Sequence, residues 1–397
     1  AGDQTFTNTL DLSYFPAERG PYNVNPNSES TQQRWAGLMR PITVSNFVNS
    51  NIQYVEFWMM DPYVDGQQLG TAPKLLLQLG NVSEDVLKDG MMQYENGLPT
   101  PSTPATTTTN SNWGIQPKQN PILYAFSTEG ADRTAQDLGY DGLDATGEAS
   151  RYGISFTNPI TNLADPASDD FVFYLSDQFT GAMGSSVRQR YKYFRNPEGN
   201  SKSNSMEVAT QTPDAEDLNR DYNLDQNENY NQYNIDLSPT SLVLGQNHIV
   251  DVKTVPVTFQ NNQTSTSKWY LFRIPVSDFV SATEGGDADP AILNNIRFAR
   301  MIVKGFDQPS TLRFATMDLV RSDWRTYTKN IAKDNSTSTN EGTFLVDNSN
   351  FDLGSVNLEE NGLNQPPYVL PPGIERQVLS GTSGAQRQNE ASLYMKV

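Results

Sequence analysis

The chain has 397 residues, a net charge of −18, no cysteine and a single histidine. That length accommodates two or three domains. The missing cysteines exclude disulfides, zinc thiolates and cysteine nucleophiles, and the acidic balance argues against a nucleic-acid partner or docking on an anionic membrane surface.

With 36% hydrophobic and 10% aromatic residues the chain is polar, yet aromatic enough to build a core. No signal peptide opens it, and no apolar run approaches the length of a membrane helix. In chain order, short runs of β-branched and aromatic residues bounded by Gly, Pro, Asn and Asp predict strands at 52–60, 74–79, 171–175, 249–259, 269–275, 296–303 and 311–320. Residues 99–109 read as an extended Pro/Thr linker, and 181–205, with Arg188, Arg190, Lys192 and Arg195, as a long polar loop. The stretches 332–340 and 380–389 are polar and irregular.

Comparing the sequence with itself reveals a sparse repeat. Arg34-Trp35, then Leu38 to Ile42 and Phe47, matches Lys268-Trp269, then Leu271 to Val276 and Phe279. The stretch 51–57 matches 295–301, and 74–79 matches 311–317. Such a triplet is familiar in galactose-binding and carbohydrate-binding jelly rolls. It predicts an all-β chain of two jelly-roll (galactose-binding-like) β-sandwiches with long irregular insertions. The first covers 1–210 with an insertion around 99–150, an acidic linker covers 211–228, the second sandwich covers 229–330, and a partly irregular extension covers 331–397. Trp35 and Trp269 hold equivalent repeat positions, so burial is expected for both.

The motif richest in chemistry lies at 217–228. Asp217, Asn219, Asp221, Asn223, Asp225 and Glu228 stand at positions 1, 3, 5, 7, 9 and 12 of an EF-hand-like loop, with Leu224 at the apolar eighth position. Ca²⁺ takes six to eight hard oxygen ligands, and alternate short side chains on a tight turn converge on one point. Ca²⁺ is therefore the expected cofactor, and a solvated acidic linker is the alternative. Tyr222 departs from the pattern at position 6, where Gly is usual because the turn there favours positive φ. A second stretch, 137–148, reads instead as a Gly-rich turn capped by Asp.

Catalysis is not expected. His248 is the only histidine and stands at a strand start, so a Ser-His-Asp triad would rest on it alone. Carboxylates abound, but no spacing singles out a glycosidase pair.

Seven strings in order span nearly the whole chain: LDLSYFPAERGPYN at 10–23, YVEFWMMDPY at 54–63, LGNVSEDVLKDG at 79–90, YENGLP at 94–99, PDAEDLNRD at 213–221, DLVRSDWR at 318–325 and YVLPPGIER at 368–376. Together they resemble the SprA family, called Sov in some species. The resemblance implies a fragment of the giant outer-membrane translocon of the Bacteroidetes type IX secretion system, which exports adhesins and enzymes and serves gliding motility. It implies a non-catalytic soluble module, on the extracellular face rather than the periplasmic one, that shapes or caps the pore or docks partner subunits. The partners implied are the barrel, its accessory subunits and secreted proteins. It also implies that the 217–228 loop belongs to the family's recurring pattern. A cell-surface carbohydrate-binding jelly roll is the alternative. Ten-residue alternating strands of a barrel wall are scarce in the sequence.

Overall fold

The strands follow from period-two alternation. Within Ile52–Met60, Val55, Phe57 and Met59 are buried while their neighbours lie half exposed, as a sheet with one face on a core requires. The computed structural model describes residues 8–22, 30–31, 33–63, 66–95, 108–110, 115–117, 139–169, 172, 174–192, 214–258, 262–321, 352–364, 367–370, 378–379, 386–387 and 390–396. It divides the chain into Ala1–Arg325 and Thr326–Val397.

The first unit holds β1 (Thr9–Tyr14), β2 (Trp35–Pro41), β3 (Ile52–Met60), β4 (Lys74–Asn81) and a small hairpin of β5 (Thr108–Asn110) and β6 (Ile115–Pro117). Three short helices follow, α1 (Ala145–Tyr152), α2 (Gly181–Ser185) and α3 (Val187–Lys192). Then come β7 (Asn229–Asp236), β8 (Ile249–Thr258), β9 (Thr264–Pro275), a 3-10 turn at Pro290–Asn294, β10 (Phe298–Lys304) and β11 (Ser310–Arg321). In the second unit β12 (Asp352–Asn357), followed by helix α4 (Leu358–Asn361), pairs with β15 (Ala391–Lys396), and β13 (Val378–Leu379) pairs with β14 (Gln386–Arg387).

Among the described residues strand far outweighs helix, and the sheets are antiparallel. The two expected sandwiches are replaced by one. Its five-stranded sheet runs β1-β11-β3-β9-β8 and its four-stranded sheet β2-β10-β4-β7. The repeat is present as two interleaved triplets. β2, β3 and β4 correspond to β9, β10 and β11, and each strand lies in the sheet opposite to its counterpart. Thus β3 pairs between β9 and β11, while β10 pairs between β2 and β4. Each triplet supplies the middle strand of the other's sheet, so neither triplet has a sheet of its own.

The inner faces share one core, which includes Leu75, Leu77, Leu79, Tyr233, Ile235, Met301 and Val303 from one sheet. From the other come Val55, Phe57, Met59, Phe272, Ile274, Leu312 and Phe314. Phe57 stacks on Phe272 at 5.1 Å between ring centroids and meets Phe314 edge-on at 5.8 Å. Such geometry adds to the energy of area burial. Gly80 lets β7 come close, because a Cβ there would lie 2.4 Å from the Asn229 carbonyl.

Three expectations need correction. No strand occupies the described part of 171–175, where Val172 packs with Phe179 in a small separate cluster. The predicted loop beginning at 181 carries α2 and α3, tied together by Arg190, whose guanidinium donates to the Gly184 and Tyr174 carbonyls and lies over Phe179. Trp35 is 59% exposed, because β2 is an edge strand and the indole sits on its outer side. The stretches 99–107 and 332–340, with Trp113 and Trp324, lie outside the described residues.

Candidate functional site

The insertion leaves the sandwich between two strands that are neighbours. Asn81 at the end of β4 faces Asn229 at the start of β7. Beyond that pair the two chains run on side by side, 82–95 against 214–228, as a stem joined at a single isolated bridge, Tyr94 to Ala215. A stem without a ladder leaves backbone N–H groups to be satisfied some other way, and here carboxylates satisfy them.

Glu84, 1% exposed, accepts from the Leu218, Asn219 and Asp225 amides at 2.9, 3.1 and 3.2 Å, and its own amide donates to the Asp225 carbonyl at 2.7 Å. Glu216, 3% exposed, reciprocates from the other side and accepts from Val86, Leu87 and Gln93 at 2.8, 3.1 and 2.9 Å. Glu95 takes the Asp214 amide at 2.8 Å. Each chain thus lends carboxylates to the other's backbone. Burial raises the Glu84 carboxyl above its ordinary range, with the Asp225 and Asn219 amides pulling the other way. Burial likewise pushes Glu216 up to about 7, against the opposing effect of its three amide donors.

The 217–228 loop sits on this stem. Asp217 accepts from the Asp221 and Tyr222 amides at 3.1 and 2.8 Å, Asn219 from Asp221 at 2.8 Å, and Asp221 from Asn223 at 2.9 Å. Asn219 Nδ2 donates to Asp225 Oδ2 at 3.1 Å. Tyr222 does take the left-handed conformation, at φ +66. Four of the six sequence-predicted ligands, Asp217, Asn219, Asp221 and Asp225, are therefore drawn together by the turn.

Two arginines just before and within β10 face them. The Arg297 guanidinium bridges Asp221, at 2.6 Å, and Asp225. Desolvation acts to raise the Asp221 carboxyl, but the Asn223 amide and Arg297 outweigh it and hold the carboxyl below its usual range. Glu228 is turned to Arg300 in a two-pronged pair at 3.0 Å each. Arg300 also donates to Gln78 at 2.5 Å and lies over the Tyr230 ring, so the loop is anchored to the outer face of the four-stranded sheet.

A second acidic group lies in the insertion. Carboxylate oxygens of Glu148, Asp165 and Asp169 come within 4.8 Å of one another, which no three carboxylates of the 217–228 loop do among the described residues. Glu148 accepts from the Ala167 amide at 3.0 Å, and Asp165 accepts from the Asp169 amide at 3.0 Å and from the Asn158 side chain at 3.1 Å. The Arg19 guanidinium supplies countercharge, since these acids favour its charged form while burial opposes it. Of the nearby 137–148 stretch, residues 139–142 form the turn the sequence predicts, and Asp144 caps α1 through the Gly147 amide at 2.8 Å.

A family model described as motility related/secretion protein, the SprA N-terminal family, matches residues 154–397. The chain belongs to this family. No curated protein matches it. The SprA span takes in the whole 217–228 loop, both of its arginines, β7 to β11 and the second unit, but leaves the β2–β4 triplet outside. The span therefore cuts through one sandwich.

The sequence does not mark the roles that Glu84, Glu216, Arg297 and Arg300 take here. In a chain with 46 acidic residues a buried carboxylate carries no compositional signal. The acidic residues beside Leu218 did signal a turn, but not which cations would answer it from 297 and 300.

Proposed function

We propose that the chain is a non-catalytic module of an outer-membrane protein-conducting channel of the type IX secretion kind, where it shapes or caps the pore or docks partner subunits. Membership of the motility/secretion family over 154–397 carries this reading. The sandwich suits it, because a shared core under two sheets makes a stiff body on which loops can be displayed. Its partners would be the barrel, accessory subunits and passing cargo, with the extracellular face as its location. No helix among the described residues is long and apolar enough to cross a membrane.

A photo-cross-linking residue in place of the exposed Trp35, in a secreting bacterium, tests it. Adducts with cargo or with fixed envelope subunits are expected, and in-frame removal of 8–321 should abolish export. Undiminished export after that removal would sink the reading. The exposed Trp35 also favours a second reading, a surface module that stacks on sugars. Tight, selective glycan binding lost on Trp35→Ala would establish it.

The calcium expectation enters as a further proposal. Asp217, Asn219, Asp221 and Asp225 would hold the ion, which competes with Arg297 for the last two. Calorimetric titration of the metal-stripped chain should then show one site, roughly ten-fold tighter in Arg297→Gln because a competing cation is gone. No heat from either protein, with melting unchanged in millimolar Ca²⁺, would exclude it.

A further inference from the structure

The described residues of the insertion between 139 and 192 form a lobe with its own internal bonding. Asp141 pairs with Tyr152, and the Asn158 and Asp165 amides donate to the Leu163 and Phe156 carbonyls at 2.9 Å each. Its apolar core is the small cluster of Val172 and Phe179 with Ile160 and Met183, separate from the core of the sandwich.

Among the described residues, the contacts between this lobe and the rest are mainly polar, with Arg19 facing its acids, and centre on Tyr22. The Tyr22 hydroxyl accepts from the Tyr140 amide at 2.7 Å and donates to Asp169 at 3.4 Å, and its backbone amide donates to the Ala167 carbonyl at 3.3 Å. Its ring stacks on Tyr140 at 6.3 Å. Around this pin, Lys192 pairs with Glu18 and lies over Phe15, Arg188 reaches the Pro309 carbonyl at 3.4 Å, and the Tyr140 hydroxyl reaches the Ala215 carbonyl at 3.2 Å.

Bonds of this kind each contribute about 1 kcal/mol net, whereas separating the two sheets would expose the whole apolar core. Segments joined mainly by a few polar contacts open well below the global unfolding free energy. We infer that the 139–192 lobe detaches from the sandwich as one unit, released at the Tyr22 pin, while both sheets stay paired. Release uncovers Phe15, Tyr22 and Tyr140, and salt favours it by screening Lys192 against Glu18.

Gly139 supplies a selective wedge. It lies against the pin, and a methyl added there would stand 2.3 Å from Asp169 Oδ2 and 2.4 Å from the Tyr22 hydroxyl oxygen, at φ +67. Hydrogen exchange followed by mass spectrometry on the full 397-residue chain reads the opening. Amides of 145–165 and 184–190 should exchange at least ~ten-fold faster than those of β3, β9 and β10, and faster still in high salt. Gly139→Ala should speed the lobe by a further ~ten-fold and leave the strands unchanged, since it loses both hydroxyl contacts. Tyr22→Phe, which deletes the hydroxyl without adding bulk, should act in the same direction. Equal protection of lobe and strands, or variants that speed both alike, would overturn the inference. Neither result depends on whether the chain serves secretion.

Discussion

Phe57→Ala is expected to destabilise the first unit by about 4 kcal/mol, and to do so across both repeat triplets at once. Phe57 is 1% exposed at the middle of β3, stacked on Phe272 of β9 and edge-on to Phe314 of β11. Truncation leaves a cavity bounded by rings from the other triplet, and rings stacked at both sides of a central strand cannot collapse into it without moving both neighbours. Two separate sandwiches would confine the loss to 1–210, whereas interleaved triplets spread it to 264–321. Denaturant unfolding with exchange readouts in β4 and β10 distinguishes the two. A single transition shifted equally in both strands is expected, and a β10 that keeps its stability would contradict the interleaved sheet order.

The same interleaving explains what the sequence revealed and what it hid. The apolar runs at 52–60, 74–79, 249–259 and 311–320 locate β3, β4, β8 and β11 almost to the residue, because a strand's apolar content is a local property. Pairing is not local. A triplet of strands carries the same pattern whether it closes on itself or exchanges its middle strand with a second triplet, so the repeat suggested two bodies where there is one. β7 was harder to read, because Asn231 and Gln232 interrupt its apolar pattern, and both are buried. Gln232 is satisfied there by Gln78 at 2.7 Å, a partner 154 residues away. The expected burial of Trp35 and Trp269 fails for a related reason: Trp35 lies on an edge strand and is exposed, and Trp269, on an inner strand, is only half-buried.

The acidic loop shows the same division. The spacing of Asp217, Asn219, Asp221 and Asp225 marks a tight turn whose sixth position favours positive φ, which Tyr222 adopts. The partners of those acids come from elsewhere in the chain. Arg297 and Arg300 are brought there by β10, and Glu84 by the return of the chain beside β4. A carboxylate that serves backbone amides has no sequence signature, since its partners are groups every residue carries.

Glu84→Gln and Glu216→Gln test that arrangement, each with an expected loss of about 3 kcal/mol at pH 5, concentrated in the stem. Glu84 serves three amides with two oxygens, and glutamine replaces one oxygen with an NH₂ that faces an N–H donor. The mismatch leaves a buried amide unpaired and brings two donors together, which costs more than a lost hydrogen bond. The same holds where Glu216 meets Gln93 at 2.9 Å. Glu216 adds a pH signature. Its folded pKa, about 7, lies above its ordinary 4.5, so the folded state binds the proton more tightly than the unfolded one. That contribution is complete below pH 4.5 and is lost as pH rises through about 7. The wild-type stem should therefore weaken across that window in metal-free buffer, by an amount on the order of 3 kcal/mol. Glu216→Gln has nothing to ionise and should be less stable at pH 5 but nearly flat from there to pH 7.5, so the two curves converge. Melting temperatures measured at intervals across the window decide the matter: parallel curves for the two proteins would mean that Glu216 is ionised throughout, held charged by its three amides.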